Sequence, residues 1–309
     1  MAHGEKPLIG ILMSIAETDR EASSRREAIL QGLDRTNLRF TVRFGRKNAN
    51  GNLLDYDSLA RELVALKPAA LFSSCFPTMT ALTRATADVQ PDEDRRIPIV
   101  YAGLFNKDGQ ESRYEFAPNV TGFVSHEFDV CKKWPDFLRK IAPGGSKAAV
   151  IHESTSGGTN QLQAIGQAAP QDFVKPIVLT TFASLQQDIQ TFKANTGNAG
   201  GLIVTTGALT ATLAEQIIQL ANKVGLPAIY PNRLYSIQGG LLSYGTDLLD
   251  LYRAAGRCLG KLLDGARLSD VPTQINKKFE LVINLGTAKS LNLPVSNELR
   301  DQASLLIGE

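Results

Sequence analysis

The chain has 309 residues, 43% hydrophobic and 21% charged, with 33 Lys and Arg against 31 Asp and Glu and a formal net charge of +2. That length and composition suit two α/β domains of ordinary size, and the interspersed charges exclude the basic stripe of a nucleic-acid binder. No apolar run reaches the ~18 residues of a membrane span. The three cysteines, Cys75, Cys131 and Cys258, give neither a disulfide framework nor a metal pattern.

The opening MAHGEKP lacks the apolar region of a signal peptide. Its Met-Ala-His start reads as a cloning scar, with a native signal removed. LIGILM (8–13) is short, apolar and β-branched and predicts a buried strand. An amphipathic helix follows, with Ile29, Leu30 and Leu33 on one face. FTVRFG (40–45) alternates as an edge strand. Asp55 and Asp57 are candidate caps for a helix carrying Leu59, Ala60, Leu63 and Val64, stopped by Pro68. AALFSS (69–74) is a third strand, Pro77 opens the next helix, and IPIVYAG (97–103) is a fourth strand. After a polar stretch from Asn106 to Pro118, VTGFV (120–124) resumes the pattern.

The alternation then restarts. A helix is predicted over 129–141, a strand at KAAVIH (147–152), and a Gly-rich turn, STSGG (154–158), leading into a helix. VKPIVLT and GGLIVTT are further strands, separated by a helix capped by Ser184. Leu213, Ile217, Ile218, Leu220, Ala221 and Val224 give helical periodicity over 210–224, closed by Gly225 and Pro227. GGLLSYG (239–245) precedes a helix at 247–264, and KKFELVINL (277–285) is a late strand followed by a short helix. Strands alternating with helices imply parallel sheets covered on both faces. Two blocks, near 8–124 and 125–243, predict two doubly wound lobes. The helix and strand after the second block suggest that the chain returns to the first lobe and crosses again.

The segment GGLLSYGTDLLDLYRAAGRCLGKLLDGARLSDVPTQINKKFELVINLGTAKSLNL (239–293) resembles the C-terminal region of ABC-transporter substrate-binding proteins of the tryptophan/tyrosine type. The shared pattern is a strand G-L-x-S-Y-G, a helix D-L-x-x-x-Y-R-x-A and a later F-E-L-V-I-N-L-x-T-A-K-x-L. LPAIYP (226–231) and IPIVYAG fit the same family. The resemblance implies a type I periplasmic-binding-protein fold, in which two lobes are joined by a three-strand hinge and the ligand lies between them. The crossings would fall near Val124–His126, Tyr244–Thr246 and Lys277–Leu281. Lobe one would comprise 1–124 plus 246–277, and lobe two 125–245 plus 278–309. The resemblance also implies a small-molecule ligand, an ABC permease as partner, a periplasmic or lipid-anchored extracytoplasmic location and no cofactor; lobes that must move freely point to a monomer. SSCFPTMTAL (73–82) is less glycine-rich than the family's loop, and 104–118 is also unusual, so the ligand is expected to differ from that of better-known relatives.

Ligands of open parallel sheets bind beyond the carboxyl ends of the strands. In the first lobe those positions are Ser14, Ser74, Cys75, Phe76, Thr78, Tyr101 and Phe105. In the second they are Ser154, Thr155, Thr206, Tyr230, Asn232 and Tyr235, while Tyr244 and Asp247 sit at a crossing. The Ser73–Thr78 turn precedes a helix, whose unpaired N–H groups suit a carboxylate. Phe76, Tyr101, Tyr230 and Tyr244 would sandwich a flat ligand, and Asp247 or Glu153 would pair with an ammonium group. Together these point to an amino acid or aromatic acid. Each also has a plainer role: a Ser or Asp before a helix caps it, a strand-end aromatic packs the core, and Cys75 forms a small apolar wall.

Catalytic patterns are missing. STSGG lacks the Gly-Lys-Ser/Thr ending of a phosphate loop, GxGxxG does not follow the first strand, and there is no GxSxG elbow. His3, His126 and His152 show no metal spacing. A binding protein that performs no chemistry is the leading expectation. A ligand-sensing regulatory domain and an enzyme with a dispersed interlobe site are the alternatives; fold alone does not separate them.

Overall fold

The computed structural model describes residues 6–18, 21–34, 37–47, 53–92, 96–104, 117–125, 127–142 and 144–308. His3, Phe105, His126 and most of the 104–118 stretch lie outside the described residues. The chain divides into two compact units. Of the described residues, those in 6–104, 117–125 and 247–278 form unit 1, and those in 127–246 and 279–308 form unit 2. Among the described residues the chain passes between them at three places, each at a strand end.

Unit 1 begins with β1 (Leu8–Met13), α1 (Ala22–Leu33) and β2 (Arg39–Phe44), then a small hairpin, β3 (Arg46–Lys47) and β4 (Leu53–Leu54). It continues with α2 (Tyr56–Ala65), β5 (Ala70–Ser73), α3 (Phe76–Val89), β6 (Ile99–Leu104) and β7 (Val120–Ser125). Unit 2 takes over with α4 (Glu127–Cys131), α5 (Trp134–Ile141), β8 (Lys147–His152), α6 (Ser156–Ala168), β9 (Val174–Val178) and α7 (Phe182–Thr196). After β10 (Gly200–Val204) come α8 (Ala208–Thr212), α9 (Ala214–Val224), β11 (Ala228–Tyr230), α10 (Arg233–Ile237) and β12 (Leu242–Thr246). The chain returns to unit 1 for α11 (Leu248–Leu263) and β13 (Gln274–Asn276), and ends in unit 2 with β14 (Phe279–Asn284), α12 (Leu285–Ser290), α13 (Asn297–Gln302) and β15 (Leu305–Ile307).

Both main sheets are doubly wound. Unit 1 has strand order β13-β7-β6-β5-β1-β2, with β2 at the edge as its alternation predicts. Unit 2 has order β15-β14-β12-β11-β10-β8-β9. The expectation of purely parallel sheets needs one correction: β14 runs antiparallel to β12. That pairing follows from the route of the chain, since β14 enters unit 2 from the end at which β12 leaves it. The alternating side chains of each strand feed two cores. Ile9, Ile11 and Met13 pack toward α1 and α11, whereas Leu12 packs toward α2 and α3. In unit 2, Ala148 and Val150 join the α5 and α6 side, and Ala149 and Ile151 the α7 and α9 side.

Other boundaries differ from the sequence reading. The helix expected over 129–141 is two, because the chain re-initiates with Pro135 in the first turn of α5. The helix over 210–224 breaks at Leu213, whose backbone is non-helical. Thr181, not Ser184, caps α7; Ser184 answers from the third helical position in a reciprocal capping box. The short strands β3, β4, β13 and β15 were not expected, being two or three residues long and without periodicity.

The α1–α11 contact organises one face of unit 1. Gly32 and Gly256 let the two backbones touch. A Cβ on Gly256 would stand 2.2 Å from the Ile29 carbonyl oxygen, and one on Gly32 would stand 2.0 Å from that of Arg253. Only glycine permits so close an approach. It brings the start of α1 against Tyr252 of α11.

Candidate functional site

In unit 1, β1 and β5 are parallel neighbours with Leu12 opposite Ser73, so the loops after them emerge side by side. The Ser14 N–H donates to Ser74 Oγ at 2.7 Å, and Ser74 Oγ donates to Ser14 Oγ at 3.2 Å. The Tyr56 hydroxyl reaches the Ser14 carbonyl at 3.3 Å. Burial, with a smaller contribution from Cys75, pushes the Tyr56 phenol up to about 12. Cys75 is the N-cap of α3 in extended geometry, and its N–H donates to Thr78 Oγ1 at 3.1 Å. Phe76, which follows, is 50% exposed. The structure thus gathers Ser14, Ser74, Cys75 and Phe76 on one strand-end shelf.

Thr78 and Tyr101 have different roles from those first read. Thr78 is fully buried, with its Oγ1 2.8 Å from Ser73 Oγ, and holds the turn from inside. Tyr101 lies opposite Ser73 on β6 and is fully buried in the α2–α3 core, because strand parity turns its ring inward. Asp247 caps α11: its Oδ1 accepts the Asp250 N–H at 2.9 Å, and its own N–H donates to the Lys278 carbonyl at 3.1 Å.

Two unit 1 residues lie behind this shelf and carried no signal of a site. Arg25, in the first turn of α1, is only 6% exposed. Its guanidinium carbon sits 5.9 Å from the centre of the Tyr252 ring. Tyr252 meets Phe72 edge-on, at 5.3 Å between centroids. Burial raises the Tyr252 phenol, against the opposing charge of Arg25. Arg25, Tyr252 and Phe72 therefore pack as one group.

In unit 2, Ser154 is exposed beyond β8, and Thr155 caps α6 by accepting the Gly158 N–H at 3.1 Å. Glu153 is not placed to serve an ammonium group through Oε1, which accepts the Leu209 and Thr210 N–H groups at 2.7 and 3.0 Å and caps α8. Gly207 leaves room for this, since a Cβ there would lie 2.0 Å from Oε1. Thr206, beyond β10, is pinned by fully buried Gln161, which accepts its N–H at 2.9 Å and donates to its carbonyl at 3.1 Å. Asn232 caps α10 through the Leu234 N–H at 3.1 Å. Beside it Arg233 pairs with Glu280 of β14 at 3.3 Å, in a largely buried ion pair.

The expected aromatic sandwich is corrected. Tyr230 is fully buried and stacks on Tyr235 at 5.1 Å; burial pushes its phenol strongly upward. Tyr244 is 8% exposed, with its ring 4.7 Å from Phe137 and its hydroxyl 3.4 Å from Lys133 Nζ. The Tyr244 carbonyl accepts the indole N–H of Trp134 at 2.7 Å. Of the four rings, Phe76 alone is substantially exposed. His152 is buried, with Nδ1 3.2 Å from the Glu153 carbonyl, in a structural position. None of the three cysteines is in a disulfide; Cys131 and Cys258 are buried and Cys75 is half-buried. No helix among the described residues is long and apolar enough to cross a membrane.

The chain resembles proteins of known kind along almost its whole length. It is 22% identical over 255 residues to a tyrosine-binding protein of Clostridioides difficile, covering 82% of this chain and 71% of that one. Its fold matches an ABC domain from Streptococcus pneumonia solved in complex with L-Trp, with a TM-score of 0.74, 17% identity and coverage of 98% of this chain and 100% of the other. It also matches the ligand-free, open structure of a substrate binding protein with adhesive properties from Clostridium difficile, with a TM-score of 0.71, 20% identity and coverage of 98% and 100%. The two α/β units have the type I periplasmic-binding-protein fold. The ABC transporter substrate binding protein family matches residues 11–306, and the chain belongs to that family.

Proposed function

We propose that this chain receives a small molecule, an amino acid or aromatic acid, for an ABC importer, grips it with strand-end residues of both units, and passes it unaltered to a permease. The observation that carries the reading is the shelf in unit 1, where Ser14, Ser74 and Cys75 offer polar groups beside the exposed ring of Phe76. Polar groups that fix an orientation beside an apolar surface are what a small-molecule site requires. Ser154, Thr206, Asn232 and Asp247 are the further contacts we assign. Thr78, Tyr101 and Tyr244 support them from within their cores. The tyrosine- and tryptophan-associated relatives support the ligand class. Such a protein acts outside the cytoplasm, as a monomer whose lobes close on the ligand, without cofactor or catalysis.

The test is a thermal-shift screen against aromatic amino acids, aromatic acids, sugars and nucleosides, followed by calorimetry and mass spectrometry of the recovered ligand. A ligand that binds only the folded state raises the melting temperature. A shift with aromatic amino or carboxylic acids, and unaltered recovery, is expected. Binding of sugars but no acid would overturn the ligand class; turnover of the bound molecule would overturn the transport reading.

A further inference from the structure

Arg25 poses an electrostatic problem within unit 1. Its side chain is 94% enclosed, its Nε has no hydrogen-bond partner, and among the described residues no ion pair includes it. Arginine does not escape burial by losing its proton. A buried cation without a carboxylate carries a desolvation cost that its surroundings must answer. Here the answer is partial: the face of Tyr252 at 5.9 Å. It supplies no formal negative charge.

The position of Arg25 gives the problem a direction. It lies in the first turn of α1, the helix that follows β1, on the side where the carboxyl ends of β1 and β5 emerge. Tyr252 meets Phe72 of β5 at 5.3 Å, that strand leads directly into Ser74, and Ser74 is bonded to Ser14. A planar guanidinium with an unused donor is suited to a carboxylate. Glu153 and Asp247, the acidic groups read from the sequence as ammonium partners, each have an oxygen engaged in capping a helix.

We infer that Arg25 is the anchor for the acid group of the transported solute, and that the ligand is recognised chiefly as a carboxylate. This rests on the reading of the chain as a receptor for an amino or aromatic acid. Tyr252 and Phe72 are positioning residues in this arrangement. Tyr252 holds the guanidinium, and Phe72 sets Tyr252 against the strand that ends at the shelf.

The experiment uses L-tyrosine and L-tryptophan as probes, with tyramine and tryptamine as counterparts lacking the carboxylate. Calorimetry is run on the wild type, Arg25→Met and Arg25→Lys, and thermal unfolding is measured for each without ligand. The wild type should bind at least one acid and prefer it to its amine. Arg25→Met should lose about 30-fold or more in affinity for the acid, with little change for the amine, and Arg25→Lys should restore part of the loss. Without ligand, Arg25→Met should melt at or above the wild-type temperature, because an unanswered buried charge has gone. Equal acid affinity in wild type and Arg25→Met overturns the anchor while leaving the receptor reading intact. So does a large drop in the melting temperature of ligand-free Arg25→Met, which assigns Arg25 to folding. A wild type that binds neither acid nor amine overturns the ligand reading, and the anchor with it.

Discussion

Substituting Gly256 with alanine sets two opposing effects against each other. In a helix interior the change ordinarily gains ~1 kcal/mol, because glycine has the larger backbone entropy to lose. Here the new methyl would meet the Ile29 carbonyl oxygen at 2.2 Å and Gly32 Cα at 2.9 Å, well inside the 3.4 Å at which ordinary contact begins. The obstructing atoms belong to a helix backbone, so relief requires α1 and α11 to separate. Overpacking of this kind costs ~1–3 kcal/mol, with rigid neighbours at the upper end. The net expectation is a loss of about 2 kcal/mol, or about 4–8 °C in melting temperature for units of this size. Gly166→Ala is the control, because Gly166 lies within α6 with nothing within 4 Å of its would-be Cβ. It should keep its propensity gain. Differential scanning calorimetry of both variants decides the matter. A Gly256→Ala protein as stable as the control would show that the helices yield freely and that the α1–α11 contact holds nothing in place.

Trp134 is the sole tryptophan, and its indole donates to the Tyr244 carbonyl at 2.7 Å. Trp134→Phe should cost ~1–3 kcal/mol in urea unfolding by leaving that buried carbonyl unmatched; a loss under about 0.5 kcal/mol would contradict this. Gln161→Leu removes both bonds that pin Thr206; a stability loss of ~2–4 kcal/mol is expected from two unmatched backbone groups, together with weaker binding by calorimetry. The Tyr56 phenol is pushed up to about 12 from its ordinary 10.0, so its contribution is fully present below pH 10 and is lost as pH rises toward 12. Tyr56→Phe should therefore flatten part of the alkaline fall in urea midpoint, and an unchanged fall would remove Tyr56 as a source. Native-state thiol labelling should mark Cys75 first, since Cys131 is buried and burial pushes the Cys258 thiol up to about 11; equal labelling of all three would refute the assigned burial.

Much of the fold was legible because strand–helix alternation is written into short β-branched runs and their stops. The strand-end positions Ser14, Ser74, Thr206 and Asn232 followed from the same pattern. Which way a ring points at a strand end depends on register and parity, and these are set by partner strands. Tyr101 and Tyr230 were therefore assigned to a ligand although both face a core. Arg25 left no signal, because the face of α1 that conceals it is covered by α11, more than two hundred positions along the chain. Glu153 and Gln161 were missed in their actual roles for a related reason. Each braces a loop that follows β10, and neither lies near that loop in sequence.

The division of unit 1 between the two ends of the chain constrains the order of synthesis. When α1 has left the ribosome, the helix that covers it has not yet been made, and all of β8 to β12 must be translated first. Gly32 then waits opposite no neighbour, and its helix face stays open to water or to a chaperone until α11 emerges. Unit 2 is likewise incomplete until β14 and β15 arrive. No amino-terminal fragment that stops before α11 can therefore reproduce either unit, and one that stops between β13 and β14 holds the residues of unit 1 alone.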